Sequence, residues 1–158
     1  MSFAALNLGF HGYAPAEQAY RAALVLRPDD HDARLGLSLS LRAQIDEMRG
    51  PALVPEAERE LVKAKSVAPE RPEAYFNQGI LAQEYGGRWG DEGERARSLV
   101  RARELFTTFL AKAGDGAAFA DAKKKASEHL GEIDELARFG SSNPASPKDP
   151  EATPSNAG

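Results

Sequence analysis

The chain has 158 residues, a hydrophobic fraction of 42%, a net charge of −4 and no cysteine. A pI near 5.5 leaves no basic footprint for nucleic acid or anionic lipid, and the absence of cysteine excludes disulfides, thiolate nucleophiles and thiolate-bound metal while leaving the redox compartment open. No apolar run approaches the roughly 18 residues of a membrane span, and the first residues lack a basic-then-apolar secretory pattern.

In chain order, residues 1–10 (MSFAALNLGF) have helical composition, but Gly12-Tyr13 arrives before a helix can reach normal length. Aligned with later segments they are only the end of a repeat, so the chain is expected to begin inside one, with a frayed or self-associating amino end. Pro15 opens a helix to about Leu26. Asp29-Asp30 makes a turn, and Asp32 is placed to cap a helix over about Ala33 to Ile45. There Leu35, Leu37, Leu39 and Leu41 alternate, a pattern that also suits a strand; the flanking helical segments favour helix. Asp46 to Leu53 lengthens the following turn, either as a binding loop or as a tolerated insertion, the latter favoured because surface insertions add little loop-closure entropy. Asp46-Glu47 lacks the further oxygen ligands of a calcium loop and reads as a solvated pair.

From Val54 the pattern sharpens. Ala57, Leu61, Ala64 and Val67 make one narrow stripe along a helix, which Pro69 and Pro72 end. Pro72-Glu73-Ala74 opens the next helix, and Ala74, Gln78, Gly79 and Ala82 give it slim positions for a close antiparallel crossing. Gly86 to Asp91, with the only tryptophan at Trp89, reads as a loop; no Gly-Lys-Ser/Thr follows to make it a phosphate cradle. Glu92 to Ala113 is a long helix ended by Gly114. The last helix, Ala117 to Phe139, carries Phe119, Ala122, Ala126, Leu130, Ile133 and Ala137 on one face, which suits a cap on an open-ended stack. Lys123-Lys124-Lys125 reads as solvated surface. Residues 140–158 hold four prolines and no aromatic and are expected to be a disordered tail, leaving residues 1–139 as the folded domain.

An internal repeat runs through these elements. Ala16, Tyr20, Ala23 and Pro28 recur as Ala57, Leu61, Ala64 and Pro69, and Asp32-Ala33-Arg34-Leu35 recurs as Glu73-Ala74-Tyr75-Phe76, all at an offset of 41 residues. Alanine, a large apolar residue, a second alanine and a terminal proline resemble the second helix of a tetratricopeptide repeat (TPR), and Tyr75-x-x-Gln78-Gly79 resembles the first. The resemblance spans residues 1–113 and implies an all-α stack of antiparallel helix hairpins, a TPR-like α-solenoid. Its ordinary period is about 34 residues, so about seven are inserted here; Gln78 stands for the usual leucine, Ala82 for the usual tyrosine, and Arg34 for the usual aromatic. A narrower resemblance covers residues 73–139. Glu73 to Tyr85, Phe106-x-x-Phe109-Leu110-Ala111-Lys112-Ala113-Gly114 and the lysine-rich last helix look like the carboxyl end of myxobacterial gliding-motility proteins built from these repeats. That resemblance implies a scaffold in a periplasmic or outer-membrane-associated complex, which requires a lipoprotein signal upstream; as given, the polypeptide is expected to be soluble and cytoplasmic.

The residues for catalysis are sparse. His11, His31 and His129 are scattered without a nucleophile motif, and Glu56, Glu58 and Glu60 cannot share one helical face as an acid–base pair. No enzyme activity, metal or cofactor is expected. What the repeat offers is a groove along its first helices. Leu35 and Leu39 on one helix and Phe76 and Ile80 on the next make an apolar floor by their i, i+4 spacing, and Arg42, Asn77 and Gln83 add polar contacts. Two readings stand side by side. In one the groove binds a protein or peptide segment, in the setting of a multiprotein complex; in the other these residues are core and the chain is a structural spacer with a self-filled groove. An enzyme accessory domain is the weaker third.

Overall fold

The computed structural model describes residues 12–141, which fold into six α-helices: α1 (Tyr13–Leu26), α2 (His31–Arg42), α3 (Gly50–Val67), α4 (Glu73–Tyr85), α5 (Glu92–Ala113) and α6 (Ala120–Ser141), the last preceded by a 3-10 turn at Ala117–Phe119. No strand occurs among these residues. Residues 1–11 and 142–158 lie outside them, and with them the expected broken repeat and nearly all of the expected tail.

Each helix packs chiefly against its neighbours in the chain, α1 on α2, α2 on α3 and so on to α6, as in a quasi-one-dimensional stack. Two hairpins, α2–α3 and α4–α5, are therefore flanked by single helices. The first helices of successive units, α2 with α4 and α4 with α6, also approach one another, whereas α1, α3 and α5 are more widely splayed. The stack thus curves with α2, α4 and α6 on its inner side. The outer side is spanned by long side chains, Arg21 of α1 reaching Glu56 of α3 at 2.6 Å and Arg101 of α5 reaching Glu58 of α3.

The apolar residues form two clusters, and α4 belongs to both. Ala16, Tyr20, Leu37, Leu41, Ala57, Leu61 and Ala64 form the first, completed by Ala74 and Leu81 of α4. Ala102, Phe106, Phe109, Ala126 and Ile133 form the second, against which Tyr75, Phe76 and Ile80 of α4 pack. The crossing of α4 on α5 is close because Gly79 faces the Phe106 ring: a β-carbon there would lie 2.9 Å from it. The leucine alternation in α2 has a simple geometry. Leu37 and Leu41 are buried within the first cluster, while Leu35 lies half-buried at its edge and Leu39 half-buried outside it. One helix uses two faces, and each face has i, i+4 spacing.

Several boundaries move. Residues 50–53 are helical rather than part of a lengthened turn, because α3 starts at Gly50 and places Pro51 in its first turn, where a missing N–H costs nothing. Pro55 then lies within α3, where Leu53 and Val54 hold that turn against the first cluster. Helix α2 ends at Arg42, short of Ile45, and its cap is Asp30, not Asp32: the Ala33 N–H donates to Asp30 Oδ1 at 3.0 Å. Helix α1 begins two residues before Pro15, and α6 runs two past Phe139. Pro72 caps α4 rather than entering it, while α5 has the expected bounds, with the Glu94 N–H donating to Asp91 Oδ1 at 2.7 Å. Gly114 ends α5 with φ 58°, a left-handed conformation that favours glycine. The Asp46-Glu47 pair is engaged rather than merely solvated. Asp46 accepts from the Met48 and Arg49 N–H groups and pairs with the Arg49 side chain, and Glu47 pairs with Arg88.

Candidate functional site

Six of the seven residues expected to line the groove fall in matching register, and Asn77 has no counterpart among them. Leu35, Leu39 and Arg42 on α2 stand 41 residues before Phe76, Ile80 and Gln83 on α4, and α2 and α4 adjoin on the inner side of the curve. Their surroundings differ. On α4, Phe76 sits edge-on to Phe106 at 5.9 Å between ring centroids and tilted to Phe109 at 5.0 Å, and Ile80 packs against the same second cluster. Gln83 is buried, and its Nε2 donates to Glu132 Oε2 of α6 at 2.8 Å. Asn77 Nδ2 donates to the Glu73 carbonyl at 2.9 Å, within its own helix. The α4 half of the face is thus largely engaged by α5 and α6.

The α2 half is not. Leu35 packs against the first cluster, but Leu39 is half-buried outside both clusters and borders a concavity of about 370 Å³ with Arg42, Ala43, Ile45, Tyr13 and Tyr85. Tyr13 opens α1 and Tyr85 closes α4, so helix ends frame this hollow. Sequence periodicity could not select them, since neither lies on the face that the leucines define.

At the other end of the same two helices sits a charged cluster. Arg71, in the turn before α4, holds Asp32 of α2 at 2.7 Å and Glu73 of α4 at 2.8 Å, and His31 Nδ1 lies 3.1 Å from Asp32 Oδ1. The Asp32 carboxyl is held below the ordinary aspartate value, first by its hydrogen bond with His31 and, against a smaller opposing effect of burial, by Arg71. Burial pushes the Glu73 carboxyl upward, but the Arg71 hydrogen bond and charge outweigh it, so it too is lowered.

The remaining chemistry-bearing residues have structural partners. Glu56, Glu58 and Glu60 radiate to three other helices, through Arg21 of α1, Arg101 of α5 and Arg34 of α2. His129 stacks on Phe106 with ring centroids 5.0 Å apart, Lys123 Nζ donates to the Gly114 carbonyl at 2.8 Å, and His11 lies outside the described residues. Among the described residues no group of three or more acidic or histidine side chains is placed to hold a metal, and no helix is long and apolar enough to cross a membrane.

Curved stacking of antiparallel hairpins with first helices inside defines the chain as an all-α helical-repeat protein of TPR-like architecture. Among solved structures it is similar to the crystal structure of the type III secretion translocator chaperone SycD of Yersinia enterocolitica, with a TM-score of 0.55 and 19% identity over 79% of this chain and 81% of that one. The likeness is one of fold. No family model and no curated protein matches the sequence.

Proposed function

We propose that the chain is a noncatalytic protein-binding module that holds a protein or peptide segment against the inner face of α2 and α4. The observation that carries this reading is the asymmetry of that face: Phe76, Ile80 and Gln83 are engaged by α5 and α6, while Leu39 and Arg42 border an open hollow. A rigid curved surface of stacked helices lowers the ordering cost of capturing an extended or helical segment. The Yersinia protein of similar fold is a translocator chaperone. Membership of a cell-envelope motility complex rests on the resemblance of residues 73–139 alone.

The test is capture of partners from cells of the source organism by the folded chain, compared with Leu39→Asp, a half-exposed position outside both clusters. Loss of a captured partner on that substitution supports the groove; a partner retained by Leu39→Asp rejects it. A second reading, a structural spacer with a self-filled face, draws on the packing of Phe76 and Ile80 against the second cluster. Failure to capture any partner favours the spacer.

A further inference from the structure

We propose that Arg42 is the seat for an acidic side chain of the bound segment, with the apolar residue beside that acid lodged over Leu39 and Ile45. The proposal rests on the groove reading above and names the chemistry that reading leaves open.

Arg42 is the anomaly of the inner face. It lies in the last turn of α2, where a cation is favoured by the helix carbonyls. Yet it makes no hydrogen bond or ion pair among the described residues, and its Nη1, sealed from solvent, donates to nothing. Buried N–H groups, charged ones above all, are almost always satisfied in a folded protein, so an orphan points to a missing acceptor. The carboxylates of adjoining segments are committed elsewhere. Glu17 receives Arg21 and Gln44, Asp46 receives Arg49, and Glu47 receives Arg88.

The surroundings narrow the ligand. A guanidinium presents a planar fork of donors that matches a carboxylate. A single guanidinium is the one charged group lining the hollow, which suits a single negative charge and not a phosphate dianion. The rest of the hollow is aliphatic and aromatic, with Leu39, Ala43 and Ile45 between Tyr13 and Tyr85. It favours a carboxylate carried on a peptide with an apolar neighbour over a free anion.

The experiment selects a display library of random peptides, held internally in the carrier so that neither terminus is free, on the wild-type chain, Arg42→Gln, Arg42→Lys and Leu39→Asp. The expected result is enrichment of Asp or Glu beside a large apolar residue on wild type, lost on Arg42→Gln and weakly kept on Arg42→Lys. A synthetic peptide of the winning sequence should bind about tenfold or more weakly when its acid is changed to the amide, the size of a lost charge-assisted hydrogen bond. Its binding should be indifferent to carboxyl-terminal amidation and to millimolar acetate. Enriched peptides without an acid, or bound equally by Arg42→Gln yet lost on Leu39→Asp, overturn the Arg42 seat and leave the groove. Loss only on amidation, or displacement by acetate, also overturns it, assigning Arg42 to a chain terminus or a free anion. No enrichment, or peptides indifferent to every substitution, overturns seat and groove together. Thermal denaturation gives a readout free of any peptide: Arg42→Met should leave Tm unchanged or higher, and a large fall would make Arg42 a structural residue instead.

Discussion

The Trp89 indole occupies the space that a β-carbon on Gly50 would fill. Gly50 opens α3 and Trp89 lies in the turn after α4, and the contact joins the two: that turn folds over the start of α3, with Arg88 pairing to Glu47 alongside. Gly50→Val must therefore displace the ring. Because Trp89 is the only tryptophan, its fluorescence reads this directly. The expected outcome is a red-shifted emission and a loss of about 1–3 kcal/mol of stability, the usual range for overpacking; unchanged emission would show that the two stretches are independent.

Two glycine-to-alanine substitutions should have opposite signs. At Gly79 the added carbon meets the fully buried Phe106 ring and is expected to destabilise by about 1–3 kcal/mol. At Gly131, exposed on α6 with nothing within 4 Å, it should stabilise by about 0.5–1 kcal/mol through reduced freedom of the unfolded chain. Phe106→Ala, which empties the second cluster, is expected to lose about 3–5 kcal/mol. Chemical denaturation of the three variants decides the matter, and equal effects at the two glycines would reject the close crossing of α4 on α5.

The glutamates of α3 should not be equivalent. Glu60 and Arg34 form a pair with side chains 11% and 13% exposed, so Glu60→Ala strands a buried guanidinium and is expected to cost about 3 kcal/mol or more. Glu56, with a partner arginine 44% exposed, should cost about 1 kcal/mol or less. A double substitution of Glu60 and Arg34 to apolar residues should recover much of the loss; if it does not, the pair is not the source of the effect.

Acid should weaken the junction of α2 and α4 at their starts. Asp32 and Glu73 both titrate below their ordinary values in the folded chain. Their contribution is therefore complete above the unfolded carboxyl values near about 4 and is lost as pH falls through the lower folded values. Melting temperature should be level from neutrality to about pH 5 and then fall, and Arg71→Gln should fall less steeply over the acidic range. Parallel curves for the two proteins would remove Arg71 as the cause.

How far the sequence could be read depended on which physical signal carried each feature. Helix α5 kept its expected bounds because Asp91 and Gly114 punctuate it with a side-chain cap and a left-handed residue, both local signals. The start of α3 did not, because Pro51 and Gly50 read as breakers while the contacts that hold them, with Trp89 and the first cluster, are distant in sequence. The register of Leu35, Leu39 and Arg42 with Phe76, Ile80 and Gln83 was legible from the 41-residue offset. Their unequal environments were not, since those depend on α6 covering one helix and leaving the other. Tyr13 and Tyr85 reach the same hollow only because the stack brings helix ends together.

The double membership of α4 gives the chain a mechanical character. Ala74 and Leu81 key it into one cluster, and Phe76 and Ile80 key it into the other. Tension applied at the ends of such a stack passes through its interfaces in series, and the apolar part of that path runs through this one helix, beside the polar ties of Arg101 to Glu58 and Arg88 to Glu47. One helix thus serves as the shared wall of two cores, so a change in the seating of α4 is felt by both.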